Sequence, residues 1–326
     1  MYSYYDIREV HLEVANKCQA RCPMCIRRVN GGTMNPFLEL TEVTLEKFQS
    51  WFSTEFINQL NSFFMCGNYG DPIIAKESLQ ILQHIRKVNP LITLSIHTNG
   101  SARTKEWWIE LAKTKTRVVF AIDGLADTHS IYRIDTDFDK IVENAKEFIK
   151  AGGHAEWNML VFKHNQHQIE ECRKLSSELG FRNFQVKHTT RFQDDHFPVL
   201  NDDGKVIYNL EPSEQTIEIL HKVQFVKSRH QDISCKASKW KQVYVSASGD
   251  VTPCCWIDVK DKVHNNPSRY DYMNKVGVFP NLDKQSMESI FDSGYFEMIS
   301  DTWSKDPLHE CSRQCGSFDK FGEQFV

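Results

Sequence analysis

The chain is 326 residues long, carries a formal net charge of −4, and is 40% hydrophobic and 25% charged. That length accommodates one large domain or two smaller ones with a sizeable core, and the charge balance argues against a general nucleic-acid binder. The opening MYSYYDIREV contains no apolar signal segment, and no run approaches the ~18 apolar residues of a membrane span. The ten cysteines therefore predict metal binding in a reducing cytoplasm rather than disulfides.

The first predicted element is a strand over 10–14, and directly after it stand Cys18, Cys22 and Cys25 in the spacing C-x3-C-x2-C. Three thiolates within eight residues hold three corners of a metal centre and leave its fourth position open. A structural zinc site closes all four; soft thiolates select zinc or iron–sulfur clusters. From 10 to 187 the pattern alternates. Strands are predicted over 10–14, 62–65, 91–97, 117–122, 156–162 and 183–187, with helices over 45–60, 76–87, 105–113, 139–151 and 168–179. Near-continuous apolar runs such as Val118-Val119-Phe120-Ala121-Ile122 are the pattern of strands buried on both faces of a parallel sheet. Asn99-Gly100 and Gly152-Gly153 close elements, and Pro90 follows a helix.

Residues 188–230 read as a bridge. Residues 189–197 are polar and aromatic, Asn201-Asp202-Asp203-Gly204 forms a turn, and a helix is predicted over 214–228. In the remainder, 231–326, a β-hairpin over 240–255 turns at Ser248-Gly249-Asp250 and brings Cys235 near Cys254. A helix over 286–299 returns the chain to Cys311 and Cys315. These four cysteines can close one shell, filled by a cluster or by structural zinc. Cys66, Cys172 and Cys255 are left over and are expected to act as small hydrophobes, Cys255 pointing away from Cys254 by strand alternation.

The stretch EVANKCQARCPMC resembles the signature of radical S-adenosylmethionine (radical SAM) enzymes. In that family the open iron of a [4Fe–4S] cluster binds the amino and carboxylate groups of S-adenosylmethionine (SAM), and reduction yields a 5′-deoxyadenosyl radical. The spacing Cys235-x13-Gly249-x4-Cys254 resembles SPASM and twitch auxiliary-cluster modules. Only four cysteines follow Cys235, so the shorter twitch form with one auxiliary [4Fe–4S] cluster is expected. The resemblance implies an α/β fold: a partial (β/α)6 barrel over 1–187, the bridge at 188–230, and a small β-hairpin plus helix auxiliary-cluster domain over 231–326.

The same resemblance implies roles for single residues. Met24, before the third cysteine, would pack on the adenine, where the family usually has an aromatic residue. Tyr69-Gly70-Asp71-Pro72 stands where the family has its GGEP loop, with Tyr69 for the first glycine, so Gly70 and Asp71 would receive the SAM amino group. Thr98-Asn99-Gly100 is similar to the family's TNG strand end, with Thr98 or His97 facing the pocket. Phe120-Ala121-Ile122-Asp123-Gly124 is similar to its SIDG strand, and His129 and Tyr132-Arg133 follow. Arg133 would grip the SAM carboxylate, or stand as a surface arginine. Asn158 would meet the ribose hydroxyls, or bond to backbone. Such ligands sit at the carboxyl ends of strands.

The implied function is hydrogen abstraction from a substrate, a ribosomally made precursor peptide in the favoured reading. The alternatives are a dehydrogenase or epimerase of a small molecule such as an aminoglycoside-type sugar, and a zinc-containing binding module without chemistry. Nine residues precede the first strand, so a peptide substrate is expected to need a separate leader-binding partner or recognition by the bridge. An external one-electron donor such as flavodoxin or ferredoxin is implied; a membrane is not.

Overall fold

The computed structural model describes residues 1–192, 194–226, 233–258 and 268–316. Its strands, in chain order, are β1 (Glu9–Leu12), β2 (Ser62–Met65), β3 (Thr93–Thr98), β4 (Arg117–Ala121), β5 (His154–Leu160), β6 (Asn183–Lys187), β7 (Phe197–Leu200), β8 (Val206–Leu210), β9 (Gln242–Val245) and β10 (Val251–Thr252). Eight pair in the order β10-β9-β1-β2-β3-β4-β5-β6, and β7 pairs with β8. β1 through β6 thus neighbour one another in chain order, with a helix between each successive pair; after β6 the strands β7 and β8 come before the next helix, Glu214–Val226. Two compact units divide the chain, with the boundary inside β3.

The first unit contains Met1–Lys17, Phe37–Ser95 and the described part of 230–319. β1 pairs parallel with β2 on one side and with β9 on the other. The C-terminal hairpin is therefore built into the main sheet through β9, while β10 returns antiparallel. This placement explains why Val243, Tyr244 and Val245 are all buried instead of alternating: an interior strand is covered on both faces. The helix expected over 45–60 is two helices, Leu45–Trp51 and Thr54–Gln59. Ser53 breaks it by capping the second, its hydroxyl accepting the Phe56 N–H at 3.2 Å. The helix expected over 286–299 is likewise two, Met287–Asp292 and Tyr295–Asp301, divided at Gly294 with φ +76°. β3 starts at Thr93, two residues late, because Pro90 and the 93% exposed Leu91 lie in the preceding turn.

The second unit contains Cys18–Pro36 and the described part of 96–229. β4, β5 and β6 run parallel. Beneath them the helices Lys105–Lys113 and Phe138–Lys150 enclose an aromatic core. The Phe120 ring stands 5.3 Å from Trp108, 6.3 Å from Phe148 and 5.8 Å from Phe181. Along β5, Trp157 and Met159 are fully buried, whereas Glu156 and Asn158 on the other face are half-buried. The bridge holds an antiparallel hairpin, β7–β8, that the polar and aromatic composition of 189–197 concealed. The turn predicted at 201–204 is its tip, with the Asn201 N–H donating to the Lys205 carbonyl at 3.0 Å. The helix expected over 214–228 is described as Glu214–Val226; residues 227 and 228 lie outside the described residues. Among the described residues no helix is long and apolar enough to cross a membrane.

Phe120 is 0% exposed at the centre of the aromatic core. Phe120→Ala should cost about 3–5 kcal/mol of folding stability, read as a lower denaturant midpoint with an unchanged slope.

Candidate functional site

In the second unit the loop after β1 arranges Cys18, Cys22 and Cys25 against one apolar cluster that contains Met24, Tyr132, Leu160, Phe162, Phe192 and Val199. The loop is fixed by its own side chains. Buried Arg27 donates through Nη2 to the Ala20 carbonyl at 2.7 Å, and Arg21 donates through Nε and Nη2 to the Gly31 carbonyl at 3.2 and 3.1 Å. Cys25 N–H donates to the Cys22 carbonyl at 3.0 Å. Three donors are aimed at sulfur: Ala20 N–H and Asn99 Nδ2 reach Cys18 Sγ at 3.4 and 3.6 Å, and Arg133 Nη1 reaches Cys22 Sγ at 3.7 Å. Donors of this kind stabilise metal-bound thiolates and tune a cluster. Burial pushes the Cys22 thiol up, against the pull of Arg133.

Arg133 is fixed beside that thiol and is not a surface residue. Its Nε donates to Asp123 Oδ2 at 2.5 Å, and its side chain is only 18% exposed. Burial opposes the guanidinium charge, but Asp123 and Cys22 outweigh it and raise the group further. Asp123 Oδ1 also accepts the Leu160 N–H at 2.7 Å, which ties the end of β4 to the end of β5. His129 supports the same turn: Nδ1 accepts the Asp123 N–H at 3.1 Å, and Nε2 bonds Thr136 Oγ1 at 3.0 Å. Burial, helped by Arg133, lowers His129 to about 3, so the ring is neutral. Thr98 is buried and accepts the Gly100 N–H at 3.0 Å. Asn158 lies half-buried on β5, opposite Gln185 of β6. Met24 is 3% exposed in the apolar cluster, and its carbonyl accepts Arg191 Nη1 at 3.0 Å.

In the first unit the loop after β2 closes on a buried carboxylate. Glu13 Oε1 accepts the Tyr69 and Gly70 N–H groups at 2.7 and 3.1 Å, and Oε2 accepts the Tyr244 hydroxyl at 2.6 Å. A β-carbon on Gly70 would overlap the Ala15 carbonyl, so only glycine fits there. Asp71 is buried, with its N–H on the Lys17 carbonyl at 3.0 Å and its Oδ1 accepting the Ile73 N–H at 3.1 Å. Burial raises Glu13 to about 7, although Tyr244 and the Tyr69 N–H oppose it.

The first unit also assembles the second cysteine set. Cys235, Cys254, Cys311 and Cys315 line one small cavity with Pro253 and Trp303. Cys311 and Cys315 share a face of the helix His309–Cys315. Cys235 caps the helix Lys236–Trp240, its sulfur accepting the Ser238 N–H at 3.5 Å. Ser234 N–H donates to the Cys315 carbonyl at 2.7 Å. Burial and then the neighbouring thiols push Cys254 up, and burial takes Cys311 up to about 12. Four thiols this close together, Cys311 buried and Cys235, Cys254 and Cys315 half-buried, do not ionise together unless positive charge sits among them, so the donor set fits a thiolate-bound metal or iron–sulfur centre. Among the described residues no group of three or more His, Cys, Asp or Glu stands as a ready-made shell for a single ion. Cys255 lies in the turn after β10, off the strand, so the alternation argument does not apply to it; its carbonyl accepts Asn68 Nδ2 at 2.8 Å. Cys172 is fully buried and Cys66 half-buried.

From the sequence alone Glu13, Gln19 and Arg191 had no role, and Asn99 and Asp123 stood in motifs without a partner for either. A carboxylate inside the apolar run Val10-His11-Leu12-Glu13-Val14 was a signal for Glu13. Asn99 was legible as a turn and motif residue, but its link to Gln19 (Nε2 to Oδ1, 2.8 Å) needs the fold.

The family model of the radical SAM superfamily matches residues 12–175, and that of an iron–sulfur cluster-binding domain, SPASM, matches 235–316. Among solved structures the chain is similar to SuiB of Streptococcus suis bound to S-adenosylmethionine, at 14% identity and a TM-score of 0.58 over 89% of this chain and 67% of that one. It is similar to anSMEcpe with bound AdoMet and Cp18Cys peptide, at 17% identity and 0.58 over 94% and 85%. It is also similar to BtrN in complex with AdoMet and 2-DOIA, at 12% identity and 0.50 over 98% and 96%. At these identities the likeness is one of fold.

The Glu13 carboxyl is raised in the folded chain, so between about pH 4.5 and about 7 the folded state binds the extra proton. Stability should therefore fall as pH rises through that window, by roughly 3 kcal/mol in all. Denaturation series across pH should show this loss in the natural chain relative to Glu13→Gln, whose own curve lacks the slope. Gly70→Ala should push the loop off the Ala15 carbonyl and lower folding stability by about 1–3 kcal/mol, read as a lower denaturant midpoint.

Proposed function

Because the chain belongs to the radical SAM superfamily and carries a SPASM iron–sulfur cluster-binding domain, we propose that it modifies a peptide by hydrogen-atom abstraction. It is an enzyme whose cofactors are [4Fe–4S] clusters and SAM, which sets aside a zinc module without chemistry. Cys18, Cys22 and Cys25 would hold the reactive cluster, and Cys235, Cys254, Cys311 and Cys315 one auxiliary cluster. When bound, the reactive cluster supplies the electron that splits a C–S bond of SAM and yields the 5′-deoxyadenosyl radical.

The remaining work falls to this chain's side chains. Ala20 N–H, Asn99 and Arg133 donate to the thiolates and offset their charge. Met24 would give the adenine an apolar wall, and Asn158 would meet the ribose. Gly70 would let the main chain approach the SAM amino group, with Asp71 as the acidic partner, while Thr98 shapes the end of β3. Arg133 would add positive charge for the SAM carboxylate. The apolar cluster around the three cysteines keeps water from the radical and holds the substrate hydrogen in line.

The observation that carries the peptide reading is the bridge hairpin. Its Phe197, Val199, Tyr208 and Leu210 pack on the same cluster as the three cysteines, and among the described residues β8 pairs with β7 alone while presenting exposed Val206 and Ile207. A short ribbon edge of this kind suits an extended chain read through its main-chain groups. SuiB, also solved with the precursor peptide SuiA, and anSMEcpe with its peptide lend support. A leader-binding protein would deliver the peptide, and a flavodoxin or ferredoxin the electron, in a reducing cytoplasm. The second reading, a dehydrogenase or epimerase of a small molecule such as an aminoglycoside-type sugar, draws on BtrN, solved with AdoMet and 2-DOIA, which matches nearly end to end in both directions.

Anaerobically reconstituted protein should hold about eight irons in two four-iron clusters and release 5′-deoxyadenosine when reduced with SAM. Replacing Cys18, Cys22 and Cys25 by Ala should remove about four of those irons and all of the product. Deuterium carried into 5′-deoxyadenosine from a labelled peptide supports the peptide reading; transfer from labelled aminoglycoside-type sugars alone replaces it.

A further inference from the structure

Tyr69 stands where the resembling motif has glycine, and its surroundings give that departure a purpose. The ring is 3% exposed, and the hydroxyl donates to the Asp258 carbonyl at 2.9 Å. Its neighbour Asn68 donates through Nδ2 to the Cys255 carbonyl at 2.8 Å. Both acceptors lie in the turn that begins with Cys254. A third connection passes through Glu13, which takes the Tyr69 and Gly70 N–H groups on one oxygen and the hydroxyl of Tyr244, on β9, on the other. The loop has no slack to absorb a shift. A β-carbon on Gly67 would strike the Gly70 carbonyl and Glu13, and one on Gly70 would strike Ala15.

We propose that Tyr69 is a positioning residue that couples the auxiliary-cluster turn 254–258 to the SAM loop 67–71. The inference rests on the reading that this loop receives SAM and that Cys254 ligates the auxiliary cluster. A cluster on Cys254 fixes the turn; the fixed turn holds Tyr69 and Asn68, and they hold the main chain of Gly70 and Asp71 ready for the ligand. A loop ordered in advance binds more tightly because less ordering entropy is lost on binding. The coupling is reciprocal, so SAM must in turn firm the turn that carries Cys254. Tyr69→Phe keeps the buried ring and removes only the hydroxyl, which leaves the buried Asp258 carbonyl without this donor.

The test uses the full chain, anaerobic, each variant reconstituted with iron and sulfide and its iron content measured. SAM dissociation constants are measured by equilibrium dialysis for the natural chain, Tyr69→Phe, Asn68→Ala, Cys254→Ser, and Tyr69→Phe combined with Cys254→Ser. Tyr69→Phe should retain the natural iron content yet bind SAM about tenfold more weakly, within the usual span of coupling effects. Asn68→Ala should act in the same direction. Cys254→Ser should weaken SAM comparably, and the double variant should be no worse than either single, because one connection has been cut twice. Addition of SAM should shift the electron paramagnetic resonance signal of the auxiliary cluster in the natural chain and not in Tyr69→Phe, a readout independent of whether Cys254→Ser folds. Unchanged SAM affinity in Tyr69→Phe, or an equal spectral shift in both proteins, overturns the coupling. Failure of the cluster-loaded natural chain to bind SAM overturns the functional reading and the coupling with it.

Discussion

The first unit is organised around one buried carboxylate. Glu13, 1% exposed, receives three hydrogen bonds from two segments, the loop after β2 and β9. Burial drives this carboxyl toward its neutral form, and those donors oppose burial without cancelling it, so the group is raised to about 7. It is the point at which β1, the loop after β2 and the C-terminal hairpin must agree in position. The requirement for glycine at 70 follows from it, because the loop comes close enough to reach Glu13 only by lying on the Ala15 carbonyl.

The second unit solves a related problem with the opposite charge. Three thiols in an apolar wall need positive partners, and the fold supplies one that cannot swing away. Asp123, fully buried, holds the Arg133 guanidinium, and a neutral His129 holds the Asp123 backbone. This chain of contacts runs from the end of β4 through a short helix to Cys22 and never uses an exposed group as an intermediate. Permanent charge beside a thiolate suits a cluster whose reactivity depends on how its ligands are solvated.

The parts legible in the sequence were those written in local pattern. Apolar runs such as 117–122 announced interior parallel strands, and the spacing of Cys18, Cys22 and Cys25 after an apolar strand announced the class of chemistry. The helix breaks at Ser53 and Gly294 were missed because helical periodicity continues across them, and one capping hydroxyl or one left-handed glycine decides the matter. The bridge hairpin was missed because its strands are short and one carries Pro198. β9 read as half of a local hairpin, and nothing local says that its other edge pairs with β1. Asp123 and Asn99 were read as family motif letters, whereas their partners Arg133 and Cys18 become visible only once the fold brings them together.

The pairing of β1 with β9 has a consequence for how the chain comes to be made. Glu9 faces Gln242 across that ladder, so one edge of the first strand waits for a partner about 230 residues further along. At ribosomal elongation rates the wait is on the order of 10–50 s. During it a nascent chain that already carries Cys18, Cys22 and Cys25 also presents an open strand edge, the kind of template on which misassembly starts. Such long-range parallel pairing is slow to form. A cell producing this protein therefore has reason to shelter it by chaperone or to deliver iron and sulfide only after release, since the last third of the sequence is needed to finish a sheet that its first twelve residues begin.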